Sequence, residues 1–203
     1  MTEKITPDLW AIERACRAEG ITSLCGVDEA GAGPLAGRVY AAAVVLPLEL
    51  ELPYLNDSKK VTERRREVLF DLIREKATAF AIAWVDEAEI DSINILNARM
   101  LAMERAIMAL SPAPALALID GNYNRGITCP NRMVEKGDQK SASIAAASIL
   151  AKVSRDRYML DMAAQYPGYG FEQHKGYGTK LHYERLRALG PCPLHRRSFL
   201  KNL

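Results

Sequence analysis

The chain of 203 residues has little of what would tie it to a membrane, a disulfide scaffold or a zinc site. Its four cysteines, Cys16, Cys25, Cys129 and Cys192, stand far apart and form no C-x-x-C pair, which speaks against both a zinc knuckle and a disulfide framework. Free thiols in a reducing cytoplasm are the expectation. No apolar run approaches the roughly 20 residues that a membrane-spanning helix needs. The leading MTEKITPDLWAIERAC carries acids and lacks the apolar centre of a signal peptide, so a cytoplasmic location without membrane association is expected. Charge of one sign is scarce as well. With a formal net charge of +2, any affinity for a polyanion has to come from local clusters of Lys and Arg. The three histidines, His174, His182 and His195, are too scattered to suggest zinc, and the nucleophile elbow of a Ser-His-Asp hydrolase is missing.

What is present is the composition of an ordinary globular protein, 49% hydrophobic and 26% charged, without repeats, low-complexity tracts or a long linker. One domain over residues 1–203 is expected, acting as a monomer, with a core over about 20–165 and a helical C-terminal part over about 166–203. A short helix is predicted over 8–18, where Leu9, Ile12, Ala15 and Cys16 share a face and Asp8 can serve as N-cap. Two β-like runs, 22–28 and 38–46, are joined through GAGPLAG at 31–37, most simply as a hairpin. Val68, Leu69, Leu72 and Ile73 predict an amphipathic helix over 62–77. A strand at 78–85, a helix at 94–110, a buried strand at 115–119 and a further strand at 132–135 follow. The pattern closes with helices at 141–165 and 179–189. The class is α/β, a mixed sheet flanked by helices with a helical C-terminal extension.

Three positions carry acids where a strand ends. Asp28 and Glu29 follow the apolar TSLCGV and precede the glycine segment. Asp120 ends the run ALALI before Gly121, and Asp138 stands in VEKGDQKSASIAAAS ahead of a helix. Each has an ordinary explanation as a turn, cap or solvated residue. Together they supply four carboxylates without a convincing nucleophile–base pair, and strand ends are where α/β sheets collect ligands. Hard oxygen ligands suit Mg²⁺ or Mn²⁺, which makes two-metal phosphodiester cleavage the leading chemistry. One difficulty is that successive side chains on a regular strand point to opposite faces, so a shared site would require Glu29 to lie beyond the strand or at a distortion.

The glycine segment is no dinucleotide fingerprint. Gly31, Gly33 and Gly37 have the wrong spacing, Pro34 intrudes, and the two carboxylates upstream would repel a pyrophosphate. Its alternatives are a bare turn, or a stretch where peptide N–H groups approach a nucleic-acid backbone or a ribose hydroxyl. Basic groups stand at Lys59-Lys60, at Lys175 and Lys180 around Gly176-Tyr177-Gly178, and at His195-Arg196-Arg197. Such clusters are commonly just solvated, yet Tyr177 adds a stacking face among cations, a combination that favours a nucleic-acid groove.

The motifs GVDEAGAGPLAG, LNDSKK, ALIDGN, KGD, SIAAASILAKVSRD, HKGYGT and HRRSF, in this order from about residue 25 to 199, resemble the ribonuclease HII family, the bacterial type 2 ribonucleases H. The resemblance implies a ribonuclease H-like fold and Mg²⁺ or Mn²⁺ as cofactor. It implies cleavage of the RNA strand of RNA/DNA hybrids, and incision of duplex DNA 5′ of an embedded ribonucleotide to leave 3′-hydroxyl and 5′-phosphate ends. It puts the metal-binding carboxylates on Asp28, Glu29, Asp120 and Asp138, and a tyrosine that stacks on the deoxyribose after the ribonucleotide on Tyr177. Lys59, Lys60 and Lys175 become contacts to phosphate or its surroundings, and Gly31, Ala32 and Gly33 the segment that reads the 2′-hydroxyl. In that segment the family has Gly-Arg-Gly, so Ala32 replaces an arginine, which implies weaker positioning of substrate without loss of a metal ligand. Two alternatives stand beside this reading: a catalytically weak binder of hybrids, and a different nuclease on the same fold.

Overall fold

The sheet is built from the apolar runs. β1 (Leu24–Ala30), β2 (Val39–Val45) and β3 (Ala79–Val85) make an antiparallel meander. β4 (Leu116–Asp120) and β5 (Asn131–Val134) add in parallel on the other side of β1, giving a mixed sheet of order β3-β2-β1-β4-β5. The computed structural model describes residues 8–200, so the termini at 1–7 and 201–203, with the first seven residues of the leading segment read above, lie outside the described residues.

β2 reads VYAAAVV with no polar alternation and is buried nearly throughout, as expected of a strand covered on both faces. Cys25, Val27, Ala41 and Ala43 face one side, packed against Ile90, Ala98, Met103 and Ile107 of the long helix α3 (Glu87–Met108). Ala42 and Val44 face the other, against Ile149 and Leu150 of α4 (Ala142–Gln165) and Leu69 and Ile73 of α2 (Glu63–Lys76). The leading helix α1 (Ala11–Ala18) seals one end through Cys16 against Leu118 and Ile144. The alanine run of α4 lets it lie almost on the backbone of β1: a Cβ at Gly26 would stand 2.1 Å from the carbonyl carbon of Ser143. Ser141 caps α4, its hydroxyl accepting from the Ile144 N–H at 3.2 Å.

Two helical features were not expected. α3 begins at Glu87, capped by Asp86 through the Glu89 N–H at 2.9 Å, and kinks at Asn94, where φ is 65°. The helical period is interrupted there, which is why only the part from 94 onward was legible. A four-residue helix, α5 (Phe171–His174), is too short to show any period. It packs on the second half of α4 around Tyr169, Phe171, Met159 and Leu194, and α6 (Lys180–Leu189) joins it through His182, whose ring meets Phe171 edge-on, which makes the expected helical extension. Among the described residues no helix is long and apolar enough to cross a membrane.

Candidate active site

β1 pairs with β4 only as far as Val27 opposite Ile119. Past that point one edge of β1 is open, and β4 ends at Asp120. A cavity of about 210 Å³ opens at this place, and Asp28, Glu29, Asp120 and Asp138 all line it. Asp28 and Glu29 both lie within β1, opposite Ala42 and Ala41, so the expected distortion at Glu29 does not occur. The open strand edge instead lets side chains from both faces reach the same space. A larger groove of about 740 Å³ runs between Asp8–Arg14 and Glu49–Leu55, but no comparable set of functional groups converges there.

Each carboxylate is held differently. Asp28 is buried and accepts from the Glu29 N–H at 2.7 Å. Glu29 pairs through Oε1 with Arg99 of α3 at 2.6 Å, while its buried Oε2 has no partner among the described residues. Asp120 accepts from the Gly137 N–H at 2.6 Å, which ties the end of β4 to the turn carrying Asp138. Desolvation, reinforced by Glu29 and Asp120, pushes the Asp28 carboxyl well above its ordinary range. Desolvation raises Glu29 too, opposed by Arg99. Asp138 is pushed up to about 6 by burial and by its neighbours Asp57 and Asp120. This is a charge cluster in want of a cation. No three His, Cys, Asp or Glu side chains among the described residues converge tightly enough to form a ready-made cage. The all-oxygen set, the elevated carboxyls and the orphaned Glu29 Oε2 nevertheless fit a hard divalent ion.

The rest of the lining is Ala30, Gly31, Ala32 and Gly33, with Ser58, Lys59, Lys152 and Tyr177. Tyr177 is 42% exposed, and its ring lies 5.9 Å from Lys152 Nζ and 5.6 Å from the Arg155 guanidinium carbon. An exposed ring flanked by cations can take a sugar or base face. Lys60 and Lys175 stand outside the cavity lining. Lys175 is turned back onto the Glu172 carbonyl.

Lys152, Ser58, Asp57 and Arg99 escaped the sequence reading. Lys152 bonds Asp156 one turn on, at 2.6 Å, and along an alanine-rich helix resembles any solvated lysine. The reading of the basic cluster at 195–197 is corrected for two of its three residues: His195 and Arg196 are only 2% and 0% exposed and cannot be surface phosphate contacts, whereas Arg197 is exposed. The scattered histidines come together. His182 stacks on His174 with ring centroids 4.3 Å apart, and the Nε2 atoms of His182 and His195 are 3.0 Å apart. Their ring nitrogens are taken up by one another, by the Tyr169 and Tyr177 carbonyls and by the Gly176 and Cys192 N–H groups, which leaves a structural cluster rather than a ligand set.

A family model described as ribonuclease HII matches residues 25–202. The ribonuclease HII of Citrifermentans bemidjiense is 54% identical over 192 residues, covering 95% of this chain and 84% of the relative. That of Endomicrobium trichonymphae is 51% identical over 193 residues, covering 95% and 92%. Among solved structures, the ribonuclease H2 of Pyrococcus horikoshii superposes with a TM-score of 0.72 at 26% identity, covering 87% of this chain and 93% of its own. The two share a ribonuclease H-like fold, the α/β class expected above.

Proposed function

The chain belongs to the ribonuclease HII family, hydrolases that are metal-dependent endonucleases acting on RNA/DNA hybrids, and on that premise we propose that its four clustered carboxylates hold divalent ions at the cleavage site. We extend the substrate to duplex DNA with an embedded ribonucleotide, cut on its 5′ side to leave 3′-hydroxyl and 5′-phosphate ends. The observation that carries the reading is convergence: acids from β1, from the end of β4 and from the turn before α4 meet in one cavity.

In this scheme Asp28, Glu29, Asp120 and Asp138 are the ligands for Mg²⁺ or Mn²⁺, two ions during catalysis. Bound ions would supply the acidity that makes water a nucleophile and the positive charge that stabilises the departing oxygen. Arg99 orients Glu29 and keeps one of its oxygens committed. The peptide N–H groups of Ala32 and Gly33 face the ribose hydroxyl, and Tyr177 stacks on the following sugar. Lys59 and Lys152 meet the phosphates beside the cut, while Lys60 and Lys175 serve the strand further out.

The alternative of a weakened binder is not favoured, because the full set of carboxylates is present around one cavity, nor is another nuclease on this fold, given the family match. The test is cleavage of a DNA duplex containing one ribonucleotide, beside an all-DNA duplex and a continuous hybrid, with Mg²⁺, with Mn²⁺ and with chelator. Metal-dependent incision 5′ of the ribonucleotide, with all-DNA untouched, is expected. Asp28→Asn and Asp120→Asn should each nearly abolish it while the protein stays folded; retained activity in both sinks the metal assignment.

A further inference from the structure

Arg196 is wholly enclosed, and every acceptor its guanidinium meets belongs to the glycine segment. Nε donates to the Gly37 carbonyl at 2.9 Å. Nη1 donates to the carbonyls of Ala32 at 3.0 Å and Pro34 at 2.8 Å. Nη2 donates to those of Gly31 at 2.7 Å and Gly37 at 2.6 Å. Its own backbone N–H donates to the Leu35 carbonyl at 2.9 Å, so the arginine is locked to the segment at both ends. Among the described residues it has no carboxylate within ion-pair distance. A buried guanidinium kept only for stability would be expected to meet one. Arg155, equally buried, donates to the Arg38 and Ala36 carbonyls, each at 3.2 Å, and holds the far end of the same segment.

The consequence follows from peptide geometry. In a trans peptide the C=O and the next N–H point in opposite directions. Gripping the Gly31 and Ala32 carbonyls therefore turns the N–H groups of Ala32 and Gly33 away from Arg196. Both residues line the carboxylate cavity, and among the described residues neither N–H has an acceptor. A cation on the carbonyl oxygen also polarises the peptide unit and strengthens its N–H as a donor.

We propose that Arg196 is a positioning and specificity residue: it sets the peptide units 31–32 and 32–33 as a fixed pair of donors for the 2′-hydroxyl of the ribonucleotide at the cut. The inference rests on the ribonuclease reading of the cavity given above. Dependence on Arg196 is sharpened here because Ala32 brings no polar side chain of its own to the substrate.

The test compares this protein with Arg196→Lys and Arg196→Met in Mg²⁺, measuring kcat and KM on the single-ribonucleotide duplex and the inhibition constant of the all-DNA duplex as competitor. The variants should raise KM for the ribonucleotide duplex by about tenfold, the weight of one hydrogen bond, while the inhibition constant of all-DNA moves by less than about twofold, the scale of a neutral surface change. An arginine that served only to keep the protein folded would shift both duplexes together, and that result overturns the proposal. So does an unchanged ratio of the two constants in a folded variant. If the parent protein does not incise the ribonucleotide duplex, the reading of the cavity fails, an outcome distinct from loss of the Arg196 role alone. Should Arg196→Met not fold, Arg196→Lys decides, since it keeps the charge but cannot span four carbonyls. Amide resonances of the ¹⁵N-labelled parent give a further check: Ala32 and Gly33 should shift with the ribonucleotide duplex and not with all-DNA, and equal responses to both overturn the donor pair.

Discussion

Replacing Asp138 with Asn should make the protein more stable in chelator while removing its activity in Mg²⁺. Asp138 is only 8% exposed. Its carboxyl is pushed from 3.8 to about 6 by desolvation first, then by Asp57 and Asp120. The folded-state pKa is thus raised above the unfolded one, so the ionised acid opposes folding at neutral pH, and the folded protein gains stability as pH falls through 6. Two pH units at about 1.4 kcal/mol each set an upper figure of about 3 kcal/mol. Solvent entering the cavity screens part of this, which leaves an expected gain of about 1–2 kcal/mol for Asp138→Asn at pH 8. Urea unfolding of both proteins with EDTA, at pH 8, 6 and 4, reads it directly. The gap should be widest at pH 8, shrink through pH 6 and close near 4, where the unfolded acid is protonated as well. A variant no more stable than its parent at pH 8 would refute the claim that these carboxylates form a repulsive cluster held together for function.

Other perturbations probe the frame and the segment beside the carboxylate cavity. Gly26→Ala would drive a Cβ to 2.1 Å from the Ser143 backbone; forcing α4 off β1 should destabilise by about 1–3 kcal/mol or more and reduce turnover, and a melting temperature equal to the parent's would contradict the close approach. His195 is held down to about 4 by burial and by His182. Its folded pKa lies below the unfolded 6.5, so stability should fall by up to about 3 kcal/mol between pH 6.5 and 4, and His195→Gln should flatten that slope in urea titrations. Ala32→Arg should raise kcat/KM on the single-ribonucleotide duplex by adding a guanidinium for phosphate, whereas equal turnover of the two proteins would remove Ala32 as a weakness.

The legible part of this molecule was the local part. Asp28, Glu29 and Asp120 announce themselves because an apolar run ends and a glycine stands within three residues, and Ser141 and Thr179, at the starts of the helices predicted over 141–165 and 179–189, are N-caps whose chemistry is read within three residues. What stayed hidden depends on segments meeting at a distance. Arg196 sits in His-Arg-Arg and reads as surface charge, since its acceptors lie about 160 residues earlier in the chain. The glycine pattern that failed as a dinucleotide fingerprint has the same origin. A Cβ at Gly31 would strike Arg155 Nε at 2.1 Å, and one at Gly37 would strike Met159 Sδ at 2.4 Å, both at positive φ. Gly33 is exposed, with nothing within 4 Å of its missing Cβ. Two of the three glycines therefore make room for side chains of α4 behind the segment, and the third leaves the cavity side of the backbone bare. The spacing encodes a strip of peptide clasped from behind by arginine and open in front to the carboxylate cavity.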